Sequence, residues 1–138
     1  TYTAEEKAYA EKLAASFDNP ELKIGSQEEI QPFEISLGYG STDVGDVSWA
    51  VPTVGLRTAT WVPGTSAHSW QAVAASGMSI GQKGAQLAAE ALTLAAVELY
   101  QNDNLIDEAW EEFEDKRGPD YEYKSLLGDR DPPLDYRK

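Results

Sequence analysis

The fold prediction depends most on residues 39–70, which begin Tyr39-Gly40-Ser41-Thr42-Asp43-Val44-Gly45-Asp46-Val47-Ser48-Trp49 and end Pro63-Gly64-Thr65-Ser66-Ala67-His68-Ser69-Trp70. Between these two runs, residues 53–62 are rich in β-branched and aromatic side chains, which predicts a strand. Pro63-Gly64 ends that strand, so His68 follows its carboxyl end by a few residues. Open α/β sheets bind ligands at that position. We therefore predict an α/β fold with a ligand site near His68.

Helices are predicted on both sides of this region, at residues 3–17, 79–101 and 105–116. Thr3 with Glu6, and Ser79 with Gln82, match the capping-box pattern that begins a helix. The segment 79–101 is apolar around nearly its whole circumference, which is typical of a helix inside a core. The expected architecture is a sheet with one long buried helix and flanking amphipathic helices.

Three further segments have weaker patterns. Phe33, Ile35 and Leu37 alternate with polar residues, which predicts a second strand. Residues 47–51 fit either a helical turn or an extended segment. Residues 119–138 lack periodicity, and we expect an irregular tail over the surface.

The composition limits the class of protein. A chain of 138 residues, 41% of them hydrophobic, has the size of one domain, residues 1–138. The net charge of −13 argues against binding to nucleic acid or to an anionic membrane, because both need clustered Lys and Arg. The sequence contains no cysteine, which fits a reducing compartment, and we expect a soluble, cytoplasmic protein. Because residue 1 is Thr, we expect a processed chain or a piece of a longer one.

His68 is the only histidine, and imidazole is a common metal ligand near neutral pH. One histidine cannot form a catalytic zinc site, which needs about three protein ligands, although Asp43 or Asp46 could contribute one. A serine nucleophile paired with His68 is a weaker alternative, because no Gly-x-Ser-x-Gly sequence surrounds any candidate serine. Those candidates are Ser41, Ser48, Ser66 and Ser69. A plain Asx-type turn that caps the next segment also explains residues 40–46.

Three motifs occur in an order that resembles the di-metal amidohydrolases and metallopeptidases of the aminoacylase and glutamate-carboxypeptidase family. They are Gly-Ser-Thr-Asp-Val-Gly-Asp-Val-Ser-Trp at 40–49, His-Ser-Trp-Gln at 68–71 and Ser-Ile-Gly-x-Lys-Gly at 79–84. The resemblance is strongest to the aminobenzoyl-glutamate utilisation branch. It covers the C-terminal part of such an enzyme, so the chain is expected to be incomplete without the N-terminal part.

The resemblance implies an α/β catalytic domain that hydrolyses an amide bond of an N-acyl amino acid or an aminobenzoyl-glutamate-like substrate. It implies two divalent metal ions, zinc or manganese, with His68 as one metal ligand. The turn that contains Thr42 and Asp43, and the loop that contains Gly64, would lie beside the active site. The family's His-x-Asp motif and adjacent glutamate pair are absent from these residues. The isolated chain is therefore expected to be inactive.

The expected partners are a small-molecule amide substrate and the N-terminal remainder of the same enzyme, in a homo- or hetero-oligomer. The alternative is a catalytically inert, acidic α/β domain that acts as a binding or interaction module. The presence or absence of an associated N-terminal fragment distinguishes these two interpretations.

Overall fold

The computed structural model describes residues 1–18, 20–35, 39–40 and 42–135. In this part of the chain the regular structure is helical. It comprises a 3-10 turn at Ser26–Glu28 and the α-helices α1 (Ala4–Ala14), α2 (Val44–Ala50), α3 (Trp70–Ser76), α4 (Ser79–Gln101) and α5 (Asp103–Arg117). The predicted α/β fold is therefore wrong, because the described residues contain no strand and no sheet. None of these helices is both long enough and apolar enough to cross a membrane.

The described residues of both predicted strands are not in strands, for the same physical reason. Residues 53–62 form no ladder with any described segment, and Val54 is 93% exposed. Phe33 and Ile35 are similarly exposed, while Leu37 lies outside the described residues. A preference for strands reflects packing on a half-buried pleated surface. Without a hydrogen-bonded neighbour and a covered face, these β-branched and aromatic residues do not form a strand.

The chain divides into two compact units. The first comprises Thr1–Leu37 and Gly55–Tyr100, and the second comprises Gly38–Val54 and Gln101–Lys138. In the first unit, α1 begins with the predicted capping box, since Thr3 Oγ1 accepts from the Glu6 N–H and the Glu6 carboxylate accepts from the Thr3 N–H. Its core is small and consists of Ala10, Leu13, Val62, Ala75 and Ile80, with Tyr2, Tyr9, Phe17, Ile24 and Trp61 packed against it.

The first two turns of α4 hold this unit together. Ile80 is buried, and Gly84 lies so close to the Ala59 backbone that an added Cβ would come within 2.5 Å of the Ala59 carbonyl oxygen. Ser79 is the first residue of the helix and not its N-cap; its hydroxyl donates to Glu6 at 2.6 Å, and the Gln82 N–H, which a capping box would direct at Ser79, donates to the Met78 carbonyl oxygen at 3.1 Å. The capping box predicted for Ser79 and Gln82 is therefore wrong.

Beyond these turns, α4 is exposed. Its buried residues are Ile80, Gly81 and Gly84, so the prediction of a helix buried along its length is also wrong. The exposed apolar side chains of this part include Leu87, Leu92, Leu94, Val97 and Leu99. The apolar composition of α4 was correctly identified, but the described residues provide nothing that covers its second half.

The second unit contains α2 and α5 and is held by aromatic contacts. Trp49 stacks on Tyr121 at a centroid distance of 4.9 Å, and the Arg117 guanidinium lies 4.6 Å from the centre of the Phe113 ring. The Tyr123 hydroxyl donates a 2.8 Å hydrogen bond to Asp46. The helix predicted at 105–116 is confirmed as α5, and it ends at Gly118, whose φ of 85° favours glycine.

A buried carboxylate joins α1 to α4. Glu6, 4% exposed, accepts hydrogen bonds from Lys83 Nζ at 2.6 Å and from Ser79 Oγ at 2.6 Å. It also accepts from the Thr3 N–H at 2.7 Å. The Lys83 hydrogen bond, followed by those of Ser79 and Thr3, lowers the pKa of Glu6 from 4.5 to about 2. Since all three donors favour the ionised form, the folded state binds this proton more weakly than the unfolded state does.

This difference predicts an acid-sensitive contribution to stability. Because the pKa of Glu6 is lower in the folded state, its stabilising effect is fully present above about pH 4.5 and is lost as the pH falls towards 2. We expect Glu6→Gln to lower the unfolding midpoint in urea at pH 7 and to flatten its decline between pH 5 and pH 3. Glu5→Gln, at an exposed position of the same helix turn, is the matched control. If the urea midpoints of the two variants depend on pH in the same way, Glu6 is not the source of the acid-sensitive contribution.

Candidate functional site

The loop that carries His68 is fixed at its start by buried backbone. Val62 and Pro63 are buried, and the Thr65 hydroxyl and N–H both donate to the Val62 carbonyl oxygen, at 2.6 and 3.1 Å. Gly64 has a φ of 88°. Among the described residues other than glycine, His68 is the one with a left-handed backbone, with a φ of 58°. This conformation is uncommon for non-glycine residues, although histidine adopts it more often than most.

Ser69 ends the loop and begins α3. Its hydroxyl accepts from the Ala72 N–H at 3.2 Å and donates to the Ser66 carbonyl oxygen at 2.7 Å. The proton of this hydroxyl is thus directed at a backbone carbonyl and not at an imidazole. Ser69 therefore acts as a helix cap, and this geometry does not favour it as a nucleophile.

An open groove of about 720 Å³ lies beside His68. Its apolar walls come from Trp61, Trp70 and Val73, and its polar lining includes His68, Ser69 and Ser76. The Trp61 indole Nε1–H donates to Ser76 Oγ at 2.8 Å, and that hydroxyl donates to the Ala72 carbonyl oxygen at 2.7 Å. Trp61 is therefore a fixed wall, whereas Trp70 is 64% exposed.

Gly64 has a packing role in the structure. A Cβ at this position would come within 2.5 Å of Pro20 Cβ and 2.8 Å of the Leu22 carbonyl oxygen. The close approach of these groups explains why the loop carries glycine here. Its predicted position beside an active site stays a prediction.

The other predicted site residues, Thr42 and Asp43, belong to the second unit. Asp43 precedes α2 but makes no capping hydrogen bond, whereas Thr42 Oγ1 accepts from the Val44 N–H at 3.3 Å. Thr42 therefore bonds the N–H of the first helical residue, and Asp43 forms no Asx turn that caps α2. Asp46 accepts from Tyr123, and this hydrogen bond raises the pKa of the tyrosine.

The remaining serine candidates have different positions. Ser48 lies in α2 and donates to the Gly45 carbonyl oxygen at 2.7 Å. Ser66 is exposed on the His68 loop, and its carbonyl oxygen accepts from Ser69. Ser41 lies outside the described residues. No described serine hydroxyl donates to His68.

The described residues do not form a metal site by themselves. Among them, no group of three or more His, Asp or Glu side chains lies close enough to hold a metal ion. A single imidazole can fill one coordination position, which fits one ligand of a site but not the whole of it.

The sequence prediction did not identify the two tryptophans of the groove as site residues. Trp61 was assigned to a strand, and Trp70 was used only as part of a motif. A usable signal was present, since Ser69 precedes Trp-Gln-Ala and is a preferred helix-capping residue. That signal predicts the start of α3, and with it the placement of Trp70 next to His68.

Over 74 residues the chain is 38% identical to a subunit of the p-aminobenzoyl-glutamate hydrolase of Escherichia coli (strain K12). The chain is related to this hydrolase subunit. The matched residues are 54% of the chain but span only 15% of the relative's length. No family model matches the sequence, and no solved structure matches it. Membership of the wider amidohydrolase family and a C-terminal position within it stay predictions.

Proposed function

We propose that this chain supplies part of the active site of a metal-dependent amidohydrolase. Its substrate would be an N-acyl amino acid or an aminobenzoyl-glutamate-like amide. The observation that carries the proposal is the position of His68 on an exposed, fixed loop beside a groove, in a chain related to a hydrolase subunit. His68 is exposed, so its imidazole is accessible to a ligand from solvent.

In this proposal His68 contributes one ligand to a site for two divalent ions, zinc or manganese. The other ligands, and the group that moves the proton, would come from outside this chain. When bound, such ions polarise an amide carbonyl and lower the pKa of a bound water. The role of this chain is to position one imidazole and to form one wall of the substrate site. Thr42, Asp43 and Gly64 would support the surrounding loops.

The proposal includes an assembly. The relative is named as a subunit, and we infer that this chain also works with a partner or with the N-terminal remainder of its own enzyme. The exposed leucines of α4 support this inference, because a helix of that composition is normally covered. The proposed setting is cytoplasmic, which the absence of cysteine supports.

The decisive variant is His68→Ala in the complete enzyme. Loss of one ligand should lower the metal content measured by elemental analysis. We also expect turnover of p-aminobenzoyl-glutamate to fall by roughly 100-fold or more. Removal of a residue that hydrogen-bonds a metal ligand already lowers activity by about 10- to 100-fold, and removal of the ligand itself should lower it at least as much. Because His68 is exposed, the fold should be unaffected, which circular dichroism can check.

Gln82→Ala, at an exposed position of α4, is the control and should leave the metal content and the turnover unchanged. Unchanged metal content in His68→Ala would remove this imidazole from the metal site. Full turnover in that variant would leave the interaction module as the better interpretation of the chain.

A further inference from the structure

The groove beside His68 has two aromatic walls of different character. Trp61 is held by its hydrogen bond to Ser76 and packs against the core, so its indole plane is fixed before any ligand arrives. Trp70 and Val73 are three residues apart on α3 and therefore project from the same side of the helix. They are 64% and 76% exposed. The volume of about 720 Å³ lies within the usual range for small-molecule sites.

The charge of the groove selects between the two halves of the proposed substrate. An aminobenzoyl-glutamate-like amide has a neutral aryl half and an amino-acid half with carboxylates. The lining side chains include no Lys or Arg, and the chain carries a net charge of −13. Apart from the metal ions proposed at the His68 end, a carboxylate would meet no lysine or arginine partner there, whereas an aromatic ring would gain contact with two indoles.

We propose that this groove binds the aryl half of the substrate, with the ring against Trp61 and Trp70 and the amide carbonyl at the His68 end. This inference rests on the proposed function and adds to it the residues that determine specificity for an aryl group. Trp61 and Trp70 act as binding residues, and the carboxylate half of the substrate is recognised outside this groove.

The test uses the 138-residue chain and the two halves of the substrate as separate probes, 4-aminobenzamide and L-glutamate. The four tryptophans each give one indole N–H signal in a proton–nitrogen correlation spectrum. Addition of 4-aminobenzamide should shift the Trp61 and Trp70 signals saturably, with a dissociation constant of about 1 mM or weaker for so small a probe. The signals of Trp49 and Trp110, which lie in the second unit, are internal controls. L-Glutamate should shift neither groove signal.

The variant Trp70→Ala should weaken the binding of 4-aminobenzamide about tenfold, because it removes the exposed aromatic wall. The matched control is Trp110→Ala in α5, which should leave binding unchanged. The proposal would be overturned if Trp61 and Trp70 showed no saturable shift, or if all four indoles shifted equally. It would also be overturned if glutamate bound as tightly as the aryl probe, or if Trp70→Ala kept full affinity. Since the test measures binding without metal or turnover, its failure is distinguishable from failure of the His68 prediction.

Discussion

Replacement of Gly64 by alanine should destabilise the first unit by roughly 2–5 kcal/mol. Two effects add at this position. The φ of 88° is unfavourable for a residue with a Cβ, and that Cβ would overlap Pro20 Cβ and the Leu22 carbonyl oxygen. Left-handed backbone costs roughly 1–2 kcal/mol and overpacking roughly 1–3 kcal/mol. A domain of this size is stable by only about 5–15 kcal/mol, so their sum is a large fraction of the total.

Gly25→Ala separates these two effects. Gly25 lies in the same unit and has a φ of 114°, but an added Cβ would meet nothing within 4 Å. This variant should therefore show only the backbone cost and unfold at a midpoint between those of the wild type and Gly64→Ala. Thermal unfolding followed by circular dichroism measures all three. If Gly64→Ala and Gly25→Ala have equal midpoints, the packing against Pro20 and Leu22 does not matter.

The second large effect is expected for Ile80→Ala. Ile80 is 1% exposed and packs in a core that contains few other large side chains. Truncation of a buried isoleucine to alanine costs about 2–5 kcal/mol, because transfer energy is lost and a cavity remains. Urea unfolding of the first unit, followed by far-ultraviolet circular dichroism, should show the midpoint shifted to lower urea with little change in slope.

Leu94→Ala is the matched control for Ile80→Ala. It removes a branched aliphatic side chain from the same helix at a position that is 71% exposed. Its effect on stability in the isolated chain should stay within about 0.5 kcal/mol. If Leu94→Ala destabilises the chain as much as Ile80→Ala does, the second half of α4 is covered in solution, and the burial described for this unit is incomplete.

Local sequence signals predicted the parts of the fold that depend on local contacts. The capping box at Thr3 and Glu6 and the position of α5 are confirmed, because both depend on residues within a few positions of each other. The strand at 53–62 was wrong, since a strand requires a partner that its own sequence does not encode. The burial predicted for α4 failed similarly, because periodicity identifies an apolar helix but not what covers it.

Part of the candidate site was also accessible from sequence. The Pro63-Gly64 turn and the loop position of His68 follow from local turn preferences, and the structure places both on one loop of the first unit. The groove was not predictable, because it depends on Trp61 being held by Ser76, a contact across fifteen residues of chain. The helix α3 has only seven residues, too few for a periodic pattern to identify it.

The Glu6 contacts also bear on how the protein is made. Ser79 and Lys83, which bond the Glu6 carboxylate, follow it by 73 and 77 residues. During synthesis, α1 therefore emerges from the ribosome long before the residues that bury it, and at typical elongation rates of about 5–20 residues per second it waits several seconds for them. Contacts between residues so distant in sequence also slow folding. For that interval α1 lacks the contacts from Ser79 and Lys83, and a helix of eleven residues is only marginally stable in water without such packing.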